Sequence, residues 1–283
     1  MECEAIYREF APGADLRGHV RAFFTFTAPA DTRAAGPAVS RAIIREVAFP
    51  AGQTFTPLFA DAHLSIVVTF GAGYRVAGLW DGRSAGHVIG AMSSAHAVAH
   101  GDRIVQVGAY VRAVKVRALM GFAAHEFTDR IVPLEDVWGS EHAALECRMY
   151  EAESDGARVQ ILEEALRNHL RGSEETSGRV DVAGLTQWMI AQRGCVTVGQ
   201  LAAAAGVSRQ HLTRVFREEV GLSPKLYARL TRFRAGLGMG MLGAGSAAAL
   251  GYADQSHMIA EFREFSGLTP GMLAAGRRFH PFI

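Results

Sequence analysis

The sequence predicts a protein of the α+β class, in which an antiparallel β-barrel or sandwich of cupin-like outline precedes an all-α domain of two lobes. In the first half, short runs rich in β-branched and aromatic residues alternate with turn residues, a pattern typical of β-strands. The last third contains two copies of one pattern: an Ala-rich segment, a Gly turn and an amphipathic stretch. Between these parts, the polar segment 171–179 contains two glycines and no apolar residue, as an exposed linker does. We therefore expect one domain at residues 1–170, a linker at 171–180 and a second domain at 181–283.

The composition fits a globular protein with two buried cores. The chain has 283 residues, of which 49% are hydrophobic, and a mean hydropathy of +0.10. No apolar run is long enough to cross a bilayer, and the amino terminus is acidic where a secretion signal would be basic, so we expect a cytoplasmic protein without a membrane partner. The three cysteines are odd in number and far apart, which argues against a disulfide framework or a Cys zinc site. We predict no metal and no cofactor.

The strand signals lie in the first 111 residues. Four segments are β-branched or aromatic-rich and are separated by Gly-containing turns. They are Ile43 to Phe49, Leu64 to Phe70, His87 to Ile89, and Ile104 to Val111. Short strands at this spacing form a sheet structure that either encloses a small-molecule cavity or is filled by its own side chains. The aromatic candidates for an effector cavity are Phe24, Phe26, Phe70 and Trp80, although an aromatic residue at strand spacing is more often a plain core position.

Helices are predicted between the sheet and the linker. From Val116 the sequence VRALMGFAAHEFTDRIVPLEDVWG has helical spacing interrupted by Gly121 and Pro133. Residues 141–153 continue as helix. The segment 155–170 places four apolar side chains at helical period, which predicts a helix that packs along one face.

The first repeated unit, LAAAAGVSRQHLTRVFREEVGLSP, has the layout of a helix-turn-helix. A packing helix over 181–192 precedes it, and a first helix begins at Thr197. Gly206 makes the turn, and Ser208 caps the second helix, which is predicted from Arg209 to Val220. The side chains at 212, 215 and 216 repeat at helical spacing and must face the core.

This pattern leaves five side chains on the exposed face of the second helix. They are Arg209, Gln210, Thr213, Arg214 and Arg217. Arg and Gln offer the donors and acceptors that major-groove base edges require, and Thr and further arginines reach phosphates. The alternative for each residue is a solvated helix face. The net charge of the whole chain is only +1, but residues 181–283 carry eleven Arg and Lys against six Asp and Glu, which favours a DNA-facing domain.

Residues from about 180 to 279 resemble the DNA-binding domain of the AraC/XylS family of bacterial transcription regulators. The resemblance rests on GVSRQHLTRVFREEVGLSPKLYARLTRFRAG and GYADQSHMIAEFREFSGLTP, with their paired Phe-Arg-Glu ends and Gly-Leu-Ser/Thr-Pro turns. More weakly, HEFTDRIVPLEDVWG resembles a segment of one subgroup of that family. The resemblance implies a seven-helix domain of two lobes, two helices in successive major grooves, and an effector-binding or dimerising amino-terminal domain.

The resemblance also assigns base-reading positions. In the first motif these are Gln210, Thr213 and Arg214, with Arg209 beside them. In the second motif Asp254 is the cap, and the exposed first turn carries Gln255, Ser256 and His257. The implied partners are double-stranded DNA, RNA polymerase, a small-molecule effector and a second copy of the chain.

Two features depart from the family pattern. Ala260 stands where members often carry a long polar reader. Five glycines between positions 236 and 245 weaken the expected connecting helix and the first helix of the second motif, because Gly costs about 1 kcal/mol per helical site relative to Ala.

Two other functions compete with this interpretation. A metal-responsive regulator would use the six histidines at positions 63, 87, 96, 100, 125 and 142, of which only His96 and His100 are closely spaced. A cupin-type enzyme fused to a DNA-binding domain would need a catalytic constellation, and the spacing supports none. We therefore expect a regulator without catalytic residues.

Overall fold

A computed structural model describes residues 6–28, 54–71, 73–100, 103–171, 180–240, 242–243 and 245–275. Within these ranges, nine strands lie in the amino-terminal part. They are β1 Ile6–Phe10, β2 Val20–Ala28, β3 Thr54–Leu58, β4 Leu64–Gly71, β5 Arg75–Val76, β6 Gly86–Ile89, β7 His96–His100, β8 Ile104–Val111 and β9 Ile131–Pro133. The predicted strand at 43–49 and the predicted linker at 172–179 lie outside the described residues, so the division at 171–180 stays a prediction.

The strands form two antiparallel sheets, so the open, two-sheet alternative describes the fold and a closed barrel does not. The larger sheet has the order β1-β2-β8-β4-β6-β9, and the smaller has β3-β7-β5. The predicted strands at 64–70, 87–89 and 104–111 are confirmed as β4, β6 and β8. The α+β class is likewise confirmed.

Helices follow the sheets. They are α1 Val116–Met120, α2 Glu135–Trp138, α3 Glu141–Glu151, α4 Asp155–Arg171, α5 Val182–Ala191, α6 Val198–Ala204, α7 Arg209–Val220, α8 Pro224–Gly238, α9 Ser246–Ala249, α10 Gln255–Ser266 and α11 Pro270–Ala275. Two short 3-10 turns, Ala113–Lys115 and Ala124–Phe127, precede and follow α1. One expectation was wrong: Ile131–Pro133, where helical spacing was predicted, is strand β9 and pairs with β6. Tertiary pairing to a sheet edge outweighs local propensity there.

Both faces of the central strand β4 are covered, and seven of its eight residues are buried. Ile66 and Val68 point to the side covered by helices α3 and α4, where they pack in one cluster with Leu162 and Leu166. Val67 points the other way and packs between the two sheets with Phe24. This alternation is the period of two that strand geometry imposes.

The carboxyl-terminal helices form a third cluster, and the amino-terminal part contributes to it. Phe59, Ala60 and Ala113 pack in the same cluster as Phe216 of α7 and Phe233 of α8. The ring of Phe59 meets that of Phe233 at a centroid distance of 6.2 Å. The two parts of the chain therefore share buried apolar surface.

Hydrogen bonds to main-chain carbonyls also join the two parts. Thr128 Oγ1 donates to the carbonyl of Gly221, just after α7, at 2.7 Å. The amides of Ala60 and Ala95 donate to the carbonyls of Phe265 and Glu264, in the last turn of α10, at 2.8 and 3.1 Å. Carbonyls in the last turn of a helix have no partner inside the helix. The amino-terminal domain thus donates hydrogen bonds to the carboxyl ends of α7 and α10, which are the second helices of the two helix-turn-helix motifs.

A partly buried ionic cluster lies at the same junction. Arg234 of α8 pairs with the Asp61 carboxylate, and the ring of His63 places Nδ1 2.8 Å from Asp61 Oδ1 and 2.9 Å from Arg234 Nη1. Burial raises the pKa of Asp61, but Arg234 and His63 outweigh it and hold the pKa well below its usual range. Asp61 is therefore a carboxylate that links the two domains.

Candidate nucleic-acid interface

Helix α7 begins and ends where its sequence signals place it. Ser208 has extended backbone angles, and its Oγ accepts from the His211 amide at 3.1 Å, as a cap does. Gly221 ends the helix with a φ of +87°. Leu212, Phe216 and Val220 are buried at helical spacing. The predicted bounds, cap and core face of this helix are confirmed.

The outward face of α7 lines an open groove of about 1000 Å³. All five side chains that the sequence predicts for the first motif lie along it. The lining residues are His125, Ser208, Arg209, Gln210, His211, Thr213, Arg214, Arg217 and Glu218. Three arginines therefore line one open groove.

The five predicted side chains differ in whether other groups of the protein already bind them. Arg214 Nη1 is bound to Glu218 Oε1 at 2.9 Å, one turn later on the same face. Thr213 Oγ1 donates to the carbonyl of Arg209 at 2.8 Å, so its hydroxyl can still accept but its proton is engaged. The guanidinium of Arg209 lies over Gly199 of α6, at the side of the groove, where a Cβ would approach its Nη2 to 3.0 Å. Of the five, Arg209, Gln210 and Arg217 make no side-chain hydrogen bond or ion pair with the described residues.

The second motif is capped as the sequence predicts. Asp254 Oδ1 accepts from the His257 amide at 2.7 Å. Gln255, Ser256 and His257 are exposed on the first turn of α10, and Ala260 is exposed one turn later. His257 also packs edge-on against the Tyr252 ring. The exposed face of α10 thus presents short or engaged side chains where α7 presents arginines.

Two arginines of the connecting helix α8 serve the structure and not the groove. Arg229 Nε binds the buried carboxylate of Glu261 at 2.6 Å, and its other nitrogens bind Glu264. These contacts fasten α10 to α8. Arg234 is likewise bound to Asp61. The carboxyl-terminal domain therefore presents less unpaired positive charge at its surface than its numbers of basic and acidic residues indicate.

The Gly-rich segment affects the connecting helix and the first helix of the second motif differently. Helix α8 continues through Gly236, where a Cβ would lie 3.0 Å from both Leu250 and Phe262, so the glycine permits close packing of the second lobe. The connecting helix, which the glycines were expected to weaken, is therefore continuous to position 238 and ends there. Beyond it, the first helix of the second motif is reduced to Ser246–Ala249 and begins after Gly245 at a φ of +88°.

The aromatic candidates for an effector cavity fall into two separate cores. Phe24, Phe26 and Trp80 pack between the two sheets. Phe70 lies on the opposite face, beneath Tyr150 and Arg158. A void of only about 20 Å³ adjoins Phe24, and Asp61 also lines it. Among the described residues the four side chains do not surround one cavity, and their role stays a prediction.

The histidines are dispersed over the described part of the chain. His87 is fully buried, with Nε2 2.6 Å from the Tyr74 hydroxyl and Nδ1 3.1 Å from the Ala85 carbonyl, and burial lowers its pKa to about 4. His142 Nδ1 faces the Gly139 carbonyl, and His63 belongs to the ionic cluster. Within the described ranges, no three His, Cys, Asp or Glu side chains converge as metal ligands do. The same residues include no helix long and apolar enough to cross a membrane.

Sequence reasoning missed three members of the groove. Glu218 and His211 could have been found from helical spacing, since each lies one turn or less from a predicted reader. His125 comes from the amino-terminal domain, and its approach to α7 is a contact between distant parts of the chain. No local pattern signals it.

The family comparison matches residues 201–275 to the model described as a helix-turn-helix domain, which is of the AraC type. No match is found among curated proteins.

Similar solved structures include ToxT from Vibrio cholerae. One matches with 8% identity and a TM-score of 0.42, over 80% of this chain and 98% of that chain. A second, ToxT bound to (E)-4-(8-methylnaphthalen-1-yl)but-3-enoic acid, has 8% identity and a TM-score of 0.47, over 80% and 96%. A third, unsaturated fatty acid bound wild-type ToxT, has 9% identity and a TM-score of 0.42, over 78% and 90%.

The family match covers both motifs described above, from within α6 to the end of α11. Residues 201–275 of this chain match a helix-turn-helix domain model of the AraC type.

Proposed function

We propose that this chain is a sequence-specific transcription regulator that reads double-stranded DNA chiefly through α7, with α10 as a weaker second reader. Its amino-terminal domain senses a small molecule or mediates dimerisation, and RNA polymerase is its partner at the promoter. The role is regulatory and not catalytic.

The groove along α7 is the observation that carries this proposal. Gln210 and Arg217 are exposed on it, and Arg214 needs only to leave Glu218, an exposed partner, to reach a base. Arg pairs with guanine through two parallel hydrogen bonds, and Gln pairs with adenine in the same manner. A capped helix that is buried on one side and Arg-rich on the other presents these groups in the geometry that the major groove requires.

The weaker role of α10 follows from its exposed chemistry. Its first turn offers one amide, one hydroxyl and one imidazole, and the imidazole is packed against Tyr252. None of these is a fixed cation, so phosphate attraction is small. Specificity should therefore reside mainly in the half-site that α7 reads.

The test is the variant Arg214→Ala in the full chain. We expect its affinity for the cognate site to fall by about 1–3 kcal/mol, with preference lost at one base pair, because one bidentate base contact disappears. Arg148→Ala is the matched control, since it removes an exposed, ion-paired arginine from α3, outside the groove. Binding-site selection identifies the site, and fluorescence anisotropy measures affinity for cognate and scrambled duplexes. Equal losses on both duplexes would leave α7 with phosphate contacts alone.

The regulatory role of the amino-terminal domain is supported by its contacts with both lobes. A molecule that bound this domain would act on α7 through Thr128 and on α10 through Ala60 and Ala95. A thermal-shift screen of small molecules tests the proposal, because a ligand at a hundred times its Kd stabilises its protein by about 2.7 kcal/mol. Sedimentation at several protein concentrations tests the alternative role in dimerisation.

A further inference from the structure

The 3-10 turn Ala124–Phe127 is held rigidly beside the carboxyl end of α7. Thr128 donates to the Gly221 carbonyl at 2.7 Å. A Cβ on Gly221 would come within 3.0 Å of the Ala124 carbonyl oxygen, so the glycine allows the two backbones to approach closely. The Phe127 side chain is buried in the amino-terminal core.

The other side of the turn is fixed to the sheets. The Gly90 amide donates to the Arg130 carbonyl at 3.0 Å, and the Asp129 amide donates to the Ala91 carbonyl at 2.9 Å. The Asp129 carboxylate accepts from the amide and hydroxyl of Ser93 at 2.7 and 2.8 Å. Asp129 adopts a φ of +54°, a conformation that these bonds stabilise. The turn is thus bound to α7 on one side and to the sheets on the other.

From this position the turn presents His125 to the α7 groove. His125 is exposed and lines the groove with the predicted readers. The neighbouring Glu126 carboxylate turns back to accept from the Ala123 amide at 2.9 Å. Arg130 is exposed at the end of the turn, where its Nη1 donates to the Glu126 carbonyl at 3.0 Å. The wall of the groove beside α7 therefore carries side chains that can form hydrogen bonds.

When α7 lies in the major groove of a DNA duplex, one sugar-phosphate backbone must lie near this wall. The major groove is about 12 Å wide and a helix with its side chains is about 10–12 Å across, so the two backbones run close along the flanks of an inserted helix. An element packed against the end of such a helix meets the backbone and not the base edges. A neutral imidazole has one N–H donor, which suits a phosphate oxygen.

We propose that residues 124–130 of the amino-terminal domain extend the DNA-binding surface, and that His125 donates a hydrogen bond to a phosphate beside the bases read by α7. This inference rests on the proposed function of α7. It assigns a DNA contact to a segment outside the helix-turn-helix domain.

The test compares full-length variants by fluorescence anisotropy. His125→Ala should weaken binding about fivefold to equal extents on cognate and scrambled duplexes, because a phosphate contact carries no sequence information. His125→Gln, which keeps a donor, should recover most of the loss. His142→Ala, which removes a histidine of α3 outside the groove, is the control and should bind as the wild type does.

Thr128→Val tests whether the fixed turn is what positions His125. It removes the hydroxyl that binds Gly221 and preserves the side-chain shape. Thr128→Val should weaken DNA binding. The double variant of Thr128→Val and His125→Ala should lose no more affinity than the more affected of the two single variants, because both changes remove the same contact. The melting temperatures of all variants establish that they are folded.

Two results would overturn the inference. Unchanged binding by folded His125→Ala would show that the turn does not contact DNA, and tighter binding would show that it obstructs the groove. Arg214→Ala in the same assay separates this failure from that of the proposed function: if it still loses affinity and preference at one base pair, α7 reads DNA without the turn.

Discussion

Glu218 restrains the main predicted base reader of α7, and removing its charge should tighten DNA binding. Arg214 Nη1 lies 2.9 Å from Glu218 Oε1, and both side chains are largely exposed, at 59% and 43%. Arg214 must leave this partner, or share it, to pair with a base. The variant Glu218→Gln keeps the size of the side chain and removes the charge.

The magnitude follows from the position of the pair. An exposed pair at i and i+4 stabilises a helix by about 0.3–0.5 kcal/mol, so releasing Arg214 in advance should raise affinity about twofold. Glu218 also lines the groove, where its charge repels phosphates, so its loss should add to the gain at low salt. We expect a twofold to fivefold increase at low ionic strength that shrinks as salt is added.

Fluorescence anisotropy on one operator fragment, at several salt concentrations, measures the effect. Glu218→Gln in the Arg214→Ala background separates the two contributions, because the release of Arg214 is then absent and only the reduced repulsion remains. Weaker binding by Glu218→Gln would refute the reasoning, since it would mean that the ion pair orders Arg214 for base contact.

The remaining predictions concern stability and the second motif. Burial lowers the pKa of His87 to about 4, below its value of about 6.5 in the unfolded chain, so the unfolded state binds the proton first. The stability that neutral His87 contributes above pH 6.5 should be lost as the pH falls towards 4, and the melting temperature should fall more steeply than in a folded His87→Gln variant. Gly90→Ala should destabilise the protein by several kcal/mol, about 3 or more, because the new Cβ would lie 1.7 Å from a carbonyl oxygen of the 3-10 turn; a chemical denaturation midpoint equal to that of the wild type would contradict this. Changing Gln255 and His257 together to Ala should cost less affinity than Arg214→Ala and leave the salt slope nearly unchanged, and a larger loss in the same anisotropy assay would show that α10 is an equal reader.

The parts of the fold that local signals determine were predictable. The bounds of α7, its Ser208 cap and the Asp254 cap of α10 follow from side chains that bond to amides three residues away. The exposed face of α7 follows from helical period alone. These features depend on neighbours in sequence, so no knowledge of the tertiary structure is needed.

The parts that depend on distant contacts were not predictable. Residues 131–133 become a strand because β6 offers them a free edge, although their own spacing is helical. Gly236 stays helical because the second lobe packs into the space that its missing side chain leaves. His125 lies beside α7 because its turn contacts the end of that helix, as in the bond between Thr128 and Gly221, which lie 93 residues apart. The spacing of residue types along the sequence does not indicate such long-range contacts.

The hydrogen bonds that the amino-terminal domain donates to the end of α10 come from main-chain amides, and this has a consequence for variation. The donors to the end of α10 are the amides of Ala60 and Ala95, which every residue except proline possesses. Most substitutions at these two positions therefore leave the hydrogen bonds intact. Homologous chains can therefore change the side chains at these two positions and keep the hydrogen bonds that hold the second reading helix, so the distance between the two half-sites that such proteins recognise should drift more slowly than the sequences of the half-sites themselves.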